Sequence, residues 1–190
     1  MGSSRRKEEI ITVASRLFKE KGFTAVSVRD LAEEMGMKAA SLYNHISSKQ
    51  EILSSLILAL AEDFTRSMER VLEENSTPID QIESLIHVHI DITVNHSEAL
   101  AALNNDWMHL QGQDLIDFVK MREDYEENFR KIIKKGMSSG DLKLHNPEVV
   151  LFSMLSTLRN LYIWYQKRGK LDVNILKRDM TAVLLRGVVS

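Results

Sequence analysis

The 190-residue sequence contains no cysteine and has only two prolines and eight glycines. Without cysteine there is no disulfide framework, no thiolate nucleophile and no metal centre built from thiolates. The scarcity of proline and glycine argues against folds with many tight turns, so long helices are the expected secondary structure. No run of about 18 apolar residues is free of charge, which excludes a transmembrane helix.

Charge is nearly balanced along the chain, with 25 basic and 27 acidic residues. This balance excludes a uniformly basic nucleic-acid coat and an acidic disordered chain. Residues 1–55 carry nine basic and seven acidic side chains, a net charge of +2, and the remaining residues carry −4. A modestly basic N-terminal part joined to an acidic remainder is typical of a DNA-binding domain that is linked to a domain with a second function. No apolar stretch follows the first basic residues, so no signal peptide is expected and the expected location is the cytoplasm.

The common catalytic motifs are absent from the sequence. It contains no Gly-x-Ser-x-Gly, no P-loop, no Gly-x-Gly-x-x-Gly and no His-Glu-x-x-His, so we expect no enzyme, no catalytic residue and no cofactor. The six histidines do not suggest a metal site either. His89 and His96 share a helix face but are separated by about 10 Å along the helix axis, too far for one ion. Asp106-x-x-His109 is the only pair that resembles a helical Glu-x-x-His motif.

The first helix is predicted from about Arg6 to Lys21, because apolar residues recur there at helical spacing. This apolar stripe consists of Ile10, Ile11, Ala14, Leu17 and Phe18. Gly22 follows as the expected helix end, since glycine tolerates the left-handed conformation that often terminates a helix.

Two short helices follow, and their spacing predicts a helix-turn-helix motif. Ser27 is the expected N-cap of a helix from Val28 to about Met35, with Asp30 at the third helical position in an approximate capping box. Gly36 ends that helix, and a third helix is predicted at 39–45. Two helices of about two turns joined by a glycine-containing turn are typical of this motif.

Longer helices are predicted for the rest of the chain. The fourth is expected from Lys49 to about Glu74, capped by Ser47 or Ser48, and residues 75–78 form the clearest break. Later helices are expected at about 78–96, 98–110, 113–138, 147–168 and 172–188, with Gly169 ending the penultimate one. No alternating pattern typical of a strand is present.

Three ordered segments carry a resemblance to a known family. They are ITVASRLFKEKGF from Ile11, SVRDLAEEMGM from Ser27 and ASLYNHISSKQEIL from Ala40. Together, residues 10–56 resemble the N-terminal DNA-binding domain of the TetR family of bacterial repressors. The remaining chain is similar in length and helical layout to that family's ligand-binding and dimerisation domain. Residues 104–187 resemble the branch that responds to acyl-CoA thioesters or to products of fatty-acid and steroid breakdown.

The resemblance implies an all-α protein of two domains. Residues 1–50 would form a three-helix helix-turn-helix DNA-binding domain, and residues 51–190 a helical ligand-binding and dimerisation domain. The expected function is a regulator, and specifically a repressor, that binds a palindromic double-stranded operator as a homodimer. A small apolar effector, an acyl-CoA or a fatty acid, would release it, with the fourth helix as the lever. The alternative is a helical protein-interaction module without sequence-specific DNA binding.

The DNA contacts are expected around the third helix, which would lie in the major groove. Lys38 can donate to guanine, Ser41 can donate or accept, and Ala40 can contact a thymine methyl group. Tyr43, His45 and Lys49 are suited to phosphate contacts, which position a protein without reading sequence. The complete expected set is Ser27, Lys38, Ala39, Ala40, Ser41, Tyr43, Asn44, His45 and Lys49. Each of Tyr43 and His45, taken alone, is equally well explained as an ordinary surface or packing residue.

The last two long helices carry apolar residues on more than one face, which predicts burial on two sides. These residues are Val149, Val150, Phe152, Met154, Leu155, Leu158, Leu161, Ile163 and Trp164, then Val173, Ile175, Leu176, Met180, Val183 and Leu184. We therefore expect a homodimer contact here, the alternative being helices fully buried within one chain.

A ligand pocket in the helical body should be apolar with a few polar groups. The candidate lining residues are His89, Thr93, Leu103, Trp107, Met121, Arg122, Tyr125, Asn160 and Trp164. Arg122 is the expected partner of an anionic ligand group, because a guanidinium matches carboxylate or phosphate geometry. A simple ion pair between Arg122 and Glu126, or ordinary core packing of the tryptophans, is the alternative explanation.

Overall fold

The computed structural model describes residues 2–168 and 171–189, and the side chains of 5–167 and 171–189. These residues form α1 Gly2–Lys21, α2 Val28–Glu34, α3 Ala39–Leu42, α4 Lys49–Glu73, α5 Pro78–Asn95, α6 Ser97–Asn105, a 3-10 helix Trp107–His109, α7 Gly112–Ser139, α8 Pro147–Arg168 and α9 Val173–Arg186. The expected all-α fold is confirmed. An isolated antiparallel bridge joins Leu142 to Val189. The helix end expected at Gly169 lies outside the described residues.

Two predicted helix boundaries are wrong for physical reasons that the structure makes visible. The third α-helix ends at Leu42 and not at His45. After Leu42 the amides of Asn44 and His45 donate to carbonyls three residues back, and the His45 N–H lies 2.9 Å from the Leu42 carbonyl. The helix expected at 98–110 is interrupted at Asp106, after which the chain forms a 3-10 turn. As a result, His45 and Asp106 lie outside the regular α-helices.

Local capping explains where the main helices begin and end. Ser27 and Asp30 form a complete capping box at α2, as the sequence predicts, and Thr77 with Asp80 forms another at α5, followed by proline at its first turn. α1 ends at Gly22, whose φ of +82° lies in the left-handed region that favours glycine.

The chain divides into two compact units by its contacts. One contains Met1–Ala61 and Glu98–Phe118, and the other contains Glu62–Ser97 and Val119–Ser190. The predicted functional division at residue 50 stays a prediction. No helix in the described ranges is long and apolar enough to cross a membrane.

Each unit has its own apolar core. In the first unit the predicted α1 stripe is buried except for Ile11, which is partly exposed, and Ile10, Leu17 and Phe18 are at most 2% exposed. In the second unit α5, α7 and α8 bury an apolar cluster that includes Leu85, Phe129 and Leu158. The burial of large aliphatic and aromatic side chains is the main favourable term for both units.

The last two helices present apolar side chains on two faces, as predicted. One face is buried in the core of the second unit, where Leu158 and Leu176 are almost inaccessible. The other face is exposed, and we call it the outer apolar face. It consists of Val149, Phe152, Ile163 and Trp164 of α8 and Ile175 and Val183 of α9, which are 39–72% exposed. In the described part of the chain, nothing covers this face.

The Thr77 cap supports the start of α5 and can be tested by a paired substitution. Thr77→Ala should lower the free energy of unfolding by about 1 kcal/mol, because the Asp80 amide loses its side-chain acceptor. The neighbouring Ser76→Ala is the control, since the Ser76 hydroxyl is buried without a partner in the described structure. Urea unfolding of both variants measures the difference, and equal losses would contradict the assigned cap.

Candidate functional site

The helix-turn-helix segment is held together by a small apolar contact between α2 and α3. Leu31 and Ala32 of α2 and Leu42 of α3 are buried, and this fixes which side of α3 faces outward. Lys38, at the N-cap of α3, and Ala40 are therefore exposed. The burial of one side of a four-residue helix leaves the opposite side available for a flat or grooved partner.

The predicted DNA-contact residues lie on this outward side or at its ends. Ser27, Lys38, Ala40, Tyr43 and Asn44 are exposed, whereas Ala39, Ser41, His45 and Lys49 are partly exposed. The Tyr43 side chain is 54% exposed. This exposure leaves the side chain accessible to a phosphate and equally fits the alternative of an ordinary surface or packing residue whose hydroxyl is in solvent.

Lys49 has a structural role that the sequence did not reveal. Its ammonium group donates to the backbone carbonyls of Phe23 and Val26, both at 2.7 Å, and lies 4.2 Å from the centre of the Phe23 ring. Partial burial lowers the Lys49 pKa below its usual value, opposed by the nearby carboxylates of Asp106 and Asp30. Lys49 thus ties the start of α4 to the turn between α1 and α2, and the predicted phosphate contact has to share the same ammonium group.

A second group of residues in the same unit also contacts the turn between α1 and α2. The buried carboxyl of Asp106 accepts a hydrogen bond from the backbone of Phe23, and burial raises its pKa. The His109 ring stacks on the Phe23 ring with centroids 5.5 Å apart, and Gln50 donates to the His109 carbonyl at 2.8 Å. The Asp106–His109 spacing is visible in the sequence, but only the fold shows that both residues meet Phe23.

Three predicted ligand residues come together in the second unit. His89 Nε2 lies 3.0 Å from the Tyr125 hydroxyl oxygen, and both residues are buried. Thr93 follows His89 by one helical turn and is fully buried. Burial lowers the pKa of His89 to about 3 and raises that of Tyr125, so both are neutral near neutral pH. We call His89, Thr93 and Tyr125 the buried polar cluster.

The other predicted ligand residues do not join this cluster. Asn160 is exposed and donates to the Ser156 carbonyl, and Trp164 is 43% exposed on the outer apolar face. Met121 and Arg122 are partly buried on α7. Leu103 and Trp107, both partly buried, belong to the first unit, where Trp107 lies 5.7 Å from the Phe118 ring.

Arg159, which is not among the residues predicted from the sequence, acts on the buried polar cluster. Arg159 of α8 pairs with Glu126 at 2.6 Å, so the carboxylate that the sequence offered as a partner of Arg122 has a partner on another helix. The charge of Arg159 also acts on His89 and Tyr125, where it favours their less positive forms. No periodic signal in the sequence relates α8 to α5 and α7 across the core, so this placement required the fold.

Cavities open on the described part of the second unit, and two of them adjoin α4. A cleft of about 700 Å³ between α4 and α5 is lined mainly by charged residues, including Asp63, Arg66, Arg70 and Asp91. A smaller pocket of about 200 Å³ lies between α4 and α7, and Tyr125 forms part of its wall. Only the smaller pocket contains a residue from the predicted ligand set.

An outward-facing recognition helix on a small helical unit, with a separate helical body that buries a polar cluster, defines a helix-turn-helix regulator class. Residues 10–56 match the family model for bacterial regulatory proteins of the tetR family, and residues 75–188 match the model for the tetracyclin repressor-like C-terminal domain. The chain belongs to the tetR family of bacterial regulatory proteins, whose function is DNA-binding regulation of transcription.

Relatives in sequence and structure agree over nearly the whole chain. The transcriptional repressor KstR2 of Rhodococcus jostii is 22% identical, covering 100% of this chain and 94% of the relative. The solved structure of the ketosteroid transcriptional regulator KstR2 of Mycobacterium tuberculosis has a TM-score of 0.91 and 19% identity, covering 97% and 95% of the two chains. AibR, solved in complex with isovaleryl coenzyme A and operator DNA, has a TM-score of 0.80 and 20% identity, covering 94% and 97%.

The structural role of Lys49 can be separated from its predicted DNA contact. Lys49→Met keeps most of the aliphatic stem but removes the donor to two carbonyls, so the free energy of unfolding should fall by about 1–3 kcal/mol. Lys38→Met, at an exposed position, should leave it within about 0.5 kcal/mol of the unchanged protein. Urea unfolding without DNA measures both, and an unchanged Lys49→Met midpoint would disprove the tie to the turn.

Proposed function

We propose that this protein is a cytoplasmic repressor, not an enzyme, that binds a palindromic operator as a homodimer and is released by a small effector. The observation that carries the proposal is the outward side of α3, which the buried Leu31–Leu42 contact keeps exposed. The family membership supports the class of function, and the likeness to the transcriptional repressor KstR2 supports the direction of regulation.

In the proposed complex the two kinds of DNA contact come from different residues. Lys38, Ala39, Ala40, Ser41 and Asn44 contact base edges in the major groove and set sequence preference. The remaining predicted contacts, from Ser27, Tyr43, His45 and Lys49, are made to phosphates and set the register of the protein on the duplex. Tyr43 is best placed for such a contact because more than half of its side chain is exposed.

The proposed homodimer uses the outer apolar face of α8 and α9. Six large apolar side chains are exposed on α8 and α9, two helices that both pack on α5, and large exposed apolar surfaces mark interaction sites. A two-fold axis pairs such a surface with itself and presents two recognition helices to two half-sites, about 34–36 Å apart on B-DNA. The palindromic operator follows from this symmetry.

The proposed effector is an acyl-CoA thioester or a related apolar molecule such as a fatty acid. AibR is described in complex with isovaleryl coenzyme A and operator DNA, and KstR2 as a ketosteroid regulator. For this chain we propose that the ligand binds in the helical body, where the buried polar cluster lies. Of the predicted lining residues, His89, Thr93 and Tyr125 have the best structural support.

Release requires that the effector favours a state with lower operator affinity, because a ligand shifts an equilibrium only by its differential affinity for the two states. α4 is the proposed lever, since this single helix extends from Lys49, at the helix-turn-helix segment, to Glu73. Its first residue already holds the turn before α2 through two hydrogen bonds.

Selection of bound sequences from a random DNA pool, with and without isovaleryl coenzyme A, tests the proposal. The unchanged protein should enrich one palindrome, and the thioester should lower its recovery. Tyr43→Phe should weaken binding to every sequence by about three- to tenfold, because a lost phosphate contact carries no sequence information. Lys38→Ala should instead relax the preference at one position of each half-site, since a base contact contributes about 1–3 kcal/mol of discrimination.

The outcomes of this selection separate the candidate functions. If the palindrome is enriched but indifferent to the thioester, the DNA-binding function stands and this effector is excluded. Identical effects of Tyr43→Phe and Lys38→Ala would show that α3 is wrongly placed on DNA. If no sequence is enriched even at low salt, the helical protein-interaction module becomes the better explanation.

The dimer surface predicts a clear change in oligomeric state. Phe152→Glu places a charge on the outer apolar face, where the side chain is 72% exposed, so it should raise the dimer dissociation constant at least tenfold. Leu144→Glu is the matched control, because Leu144 is 85% exposed but lies in the loop before α8. Sedimentation velocity at micromolar concentration measures both, and an intact Phe152→Glu dimer would exclude this interface.

A further inference from the structure

The buried polar cluster contains hydrogen-bond donors that the fold itself does not use. Its one internal hydrogen bond joins His89 Nε2 to the Tyr125 hydroxyl at 3.0 Å. Thr93 is fully buried, and its hydroxyl has no hydrogen-bond partner among the described atoms. A buried hydroxyl without a partner is unfavourable, and such groups in folded proteins usually have a specific explanation.

Counting protons shows what kind of group is missing. Neutral His89 carries one N–H and neutral Tyr125 carries one O–H, and their mutual hydrogen bond uses only one of these two protons. With the proton of His89 on Nε2, His89 donates to the Tyr125 oxygen and the Tyr125 O–H remains as a further donor, and the Thr93 hydroxyl supplies another. Thr93 follows His89 by four residues and so lies on the same face of α5, and two donors on one helix face match the two lone pairs of a carbonyl oxygen.

The surroundings of the cluster are apolar and disfavour a charged ligand group. The Phe64 ring lies 4.7 Å from the His89 ring and 5.8 Å from the Tyr125 ring, measured between centroids. The nearby guanidinium of Arg159 is already paired with Glu126. A free carboxylate would therefore lose its hydration without gaining an unpaired cation in the cluster.

Among the described residues, Tyr125 is the member of the cluster that lines the smaller pocket, and His89 and Thr93 lie outside its lining. Its volume of about 200 Å³ equals roughly seven water molecules, enough for a short branched acyl group or one ring. Glu69, Asp124 and Glu127 in its wall outnumber the single lysine, Lys131. This acidic wall also favours an uncharged group over a fatty-acid carboxylate.

We propose that His89, Thr93 and Tyr125 bind the carbonyl oxygen of an uncharged apolar effector group, a thioester or a ketone. The inference rests on the proposed function, in which the effector binds the helical body, and it deepens it by excluding free fatty acids at this position. Tyr125 with His89 supplies one donor to the carbonyl oxygen and Thr93 supplies the second. The apolar part of the ligand lies against Phe64.

Two small probes that differ by one oxygen test this assignment without requiring a nucleotide-binding site. They are S-isovaleryl-N-acetylcysteamine, a thioester, and S-(3-methylbutyl)-N-acetylcysteamine, the thioether that lacks its carbonyl oxygen. Titrations of the full chain followed by NMR should show at least fivefold tighter binding of the thioester. Tyr125→Phe and Thr93→Val should each reduce that preference, and together they should bring it below twofold.

A third variant controls for the general effect of removing a buried hydroxyl. Thr181 is buried in the same unit, and its hydroxyl lies 3.3 Å from His87 Nε2, away from the cluster. Thr181→Val should therefore keep the full thioester preference. Thr93→Val should melt at or above the temperature of the unchanged protein, because it removes a hydroxyl without a partner, and this keeps the binding result interpretable even if Tyr125→Phe folds poorly.

Equal binding of the two probes, no binding of either at millimolar concentration, or a preference unchanged in Thr93→Val and Tyr125→Phe would overturn the inference. Operator binding, measured separately by fluorescence anisotropy, tests the proposed function. A thioester preference that depends on the cluster, combined with no effect of isovaleryl coenzyme A on operator affinity, would support the carbonyl site and refute effector release.

Discussion

The contact between the Lys49 ammonium group and the turn before α2 is the constraint on which the DNA-facing part depends. Two carbonyl groups, those of Phe23 and Val26, accept from one donor at 2.7 Å. Backbone carbonyls in a turn have no helical partner, so a charged donor here replaces the hydrogen bonds that regular structure would provide. The position of Ser27, and hence of α2 and α3, follows from how this turn is held.

The Lys49 ammonium group therefore has two competing roles, the observed hydrogen bonds to the turn and the predicted contact with a DNA phosphate. A lysine near a helix N-terminus is a natural phosphate ligand, and the family resemblance favours that role. The structure shows that the ammonium is already engaged and partly desolvated, with its pKa lowered by burial. A phosphate contact by Lys49 would therefore couple DNA binding directly to the geometry of the turn. Asp106 and His109 contact the same turn, so its conformation depends on residues far apart in the sequence.

The core of the helical body is mostly apolar and contains only a few buried polar groups among the described residues. His89 is neutral because the loss of hydration on burial outweighs any benefit of protonation. In such surroundings an unused donor has a large influence on which ligand is accepted, since a mismatched polar group is costly to bury. The proposed carbonyl site depends on this preference for an uncharged group.

Most of the local structure could be predicted from the sequence because its causes are local. The apolar stripe of α1, the Ser27–Asp30 capping box and the glycine end at Gly22 each depend on residues within a few positions of one another. The predicted helix from 98 to 110 failed at Asp106, because a contact with Phe23, distant in sequence, competes there with helix continuation. The outer apolar face was also visible, since helical periodicity reveals a second apolar side.

What the sequence determined by itself was therefore the set of helices, the helix-turn-helix pattern and the family. Only the tertiary structure decided which side chains meet: Lys49 with two carbonyls of the turn, and Arg159 with Glu126. It also separated His89, Thr93 and Tyr125 from Asn160 and Trp164, which are exposed. The physical reason is that helix formation depends on nearest neighbours along the chain, whereas a binding site depends on how distant helices are rotated and packed.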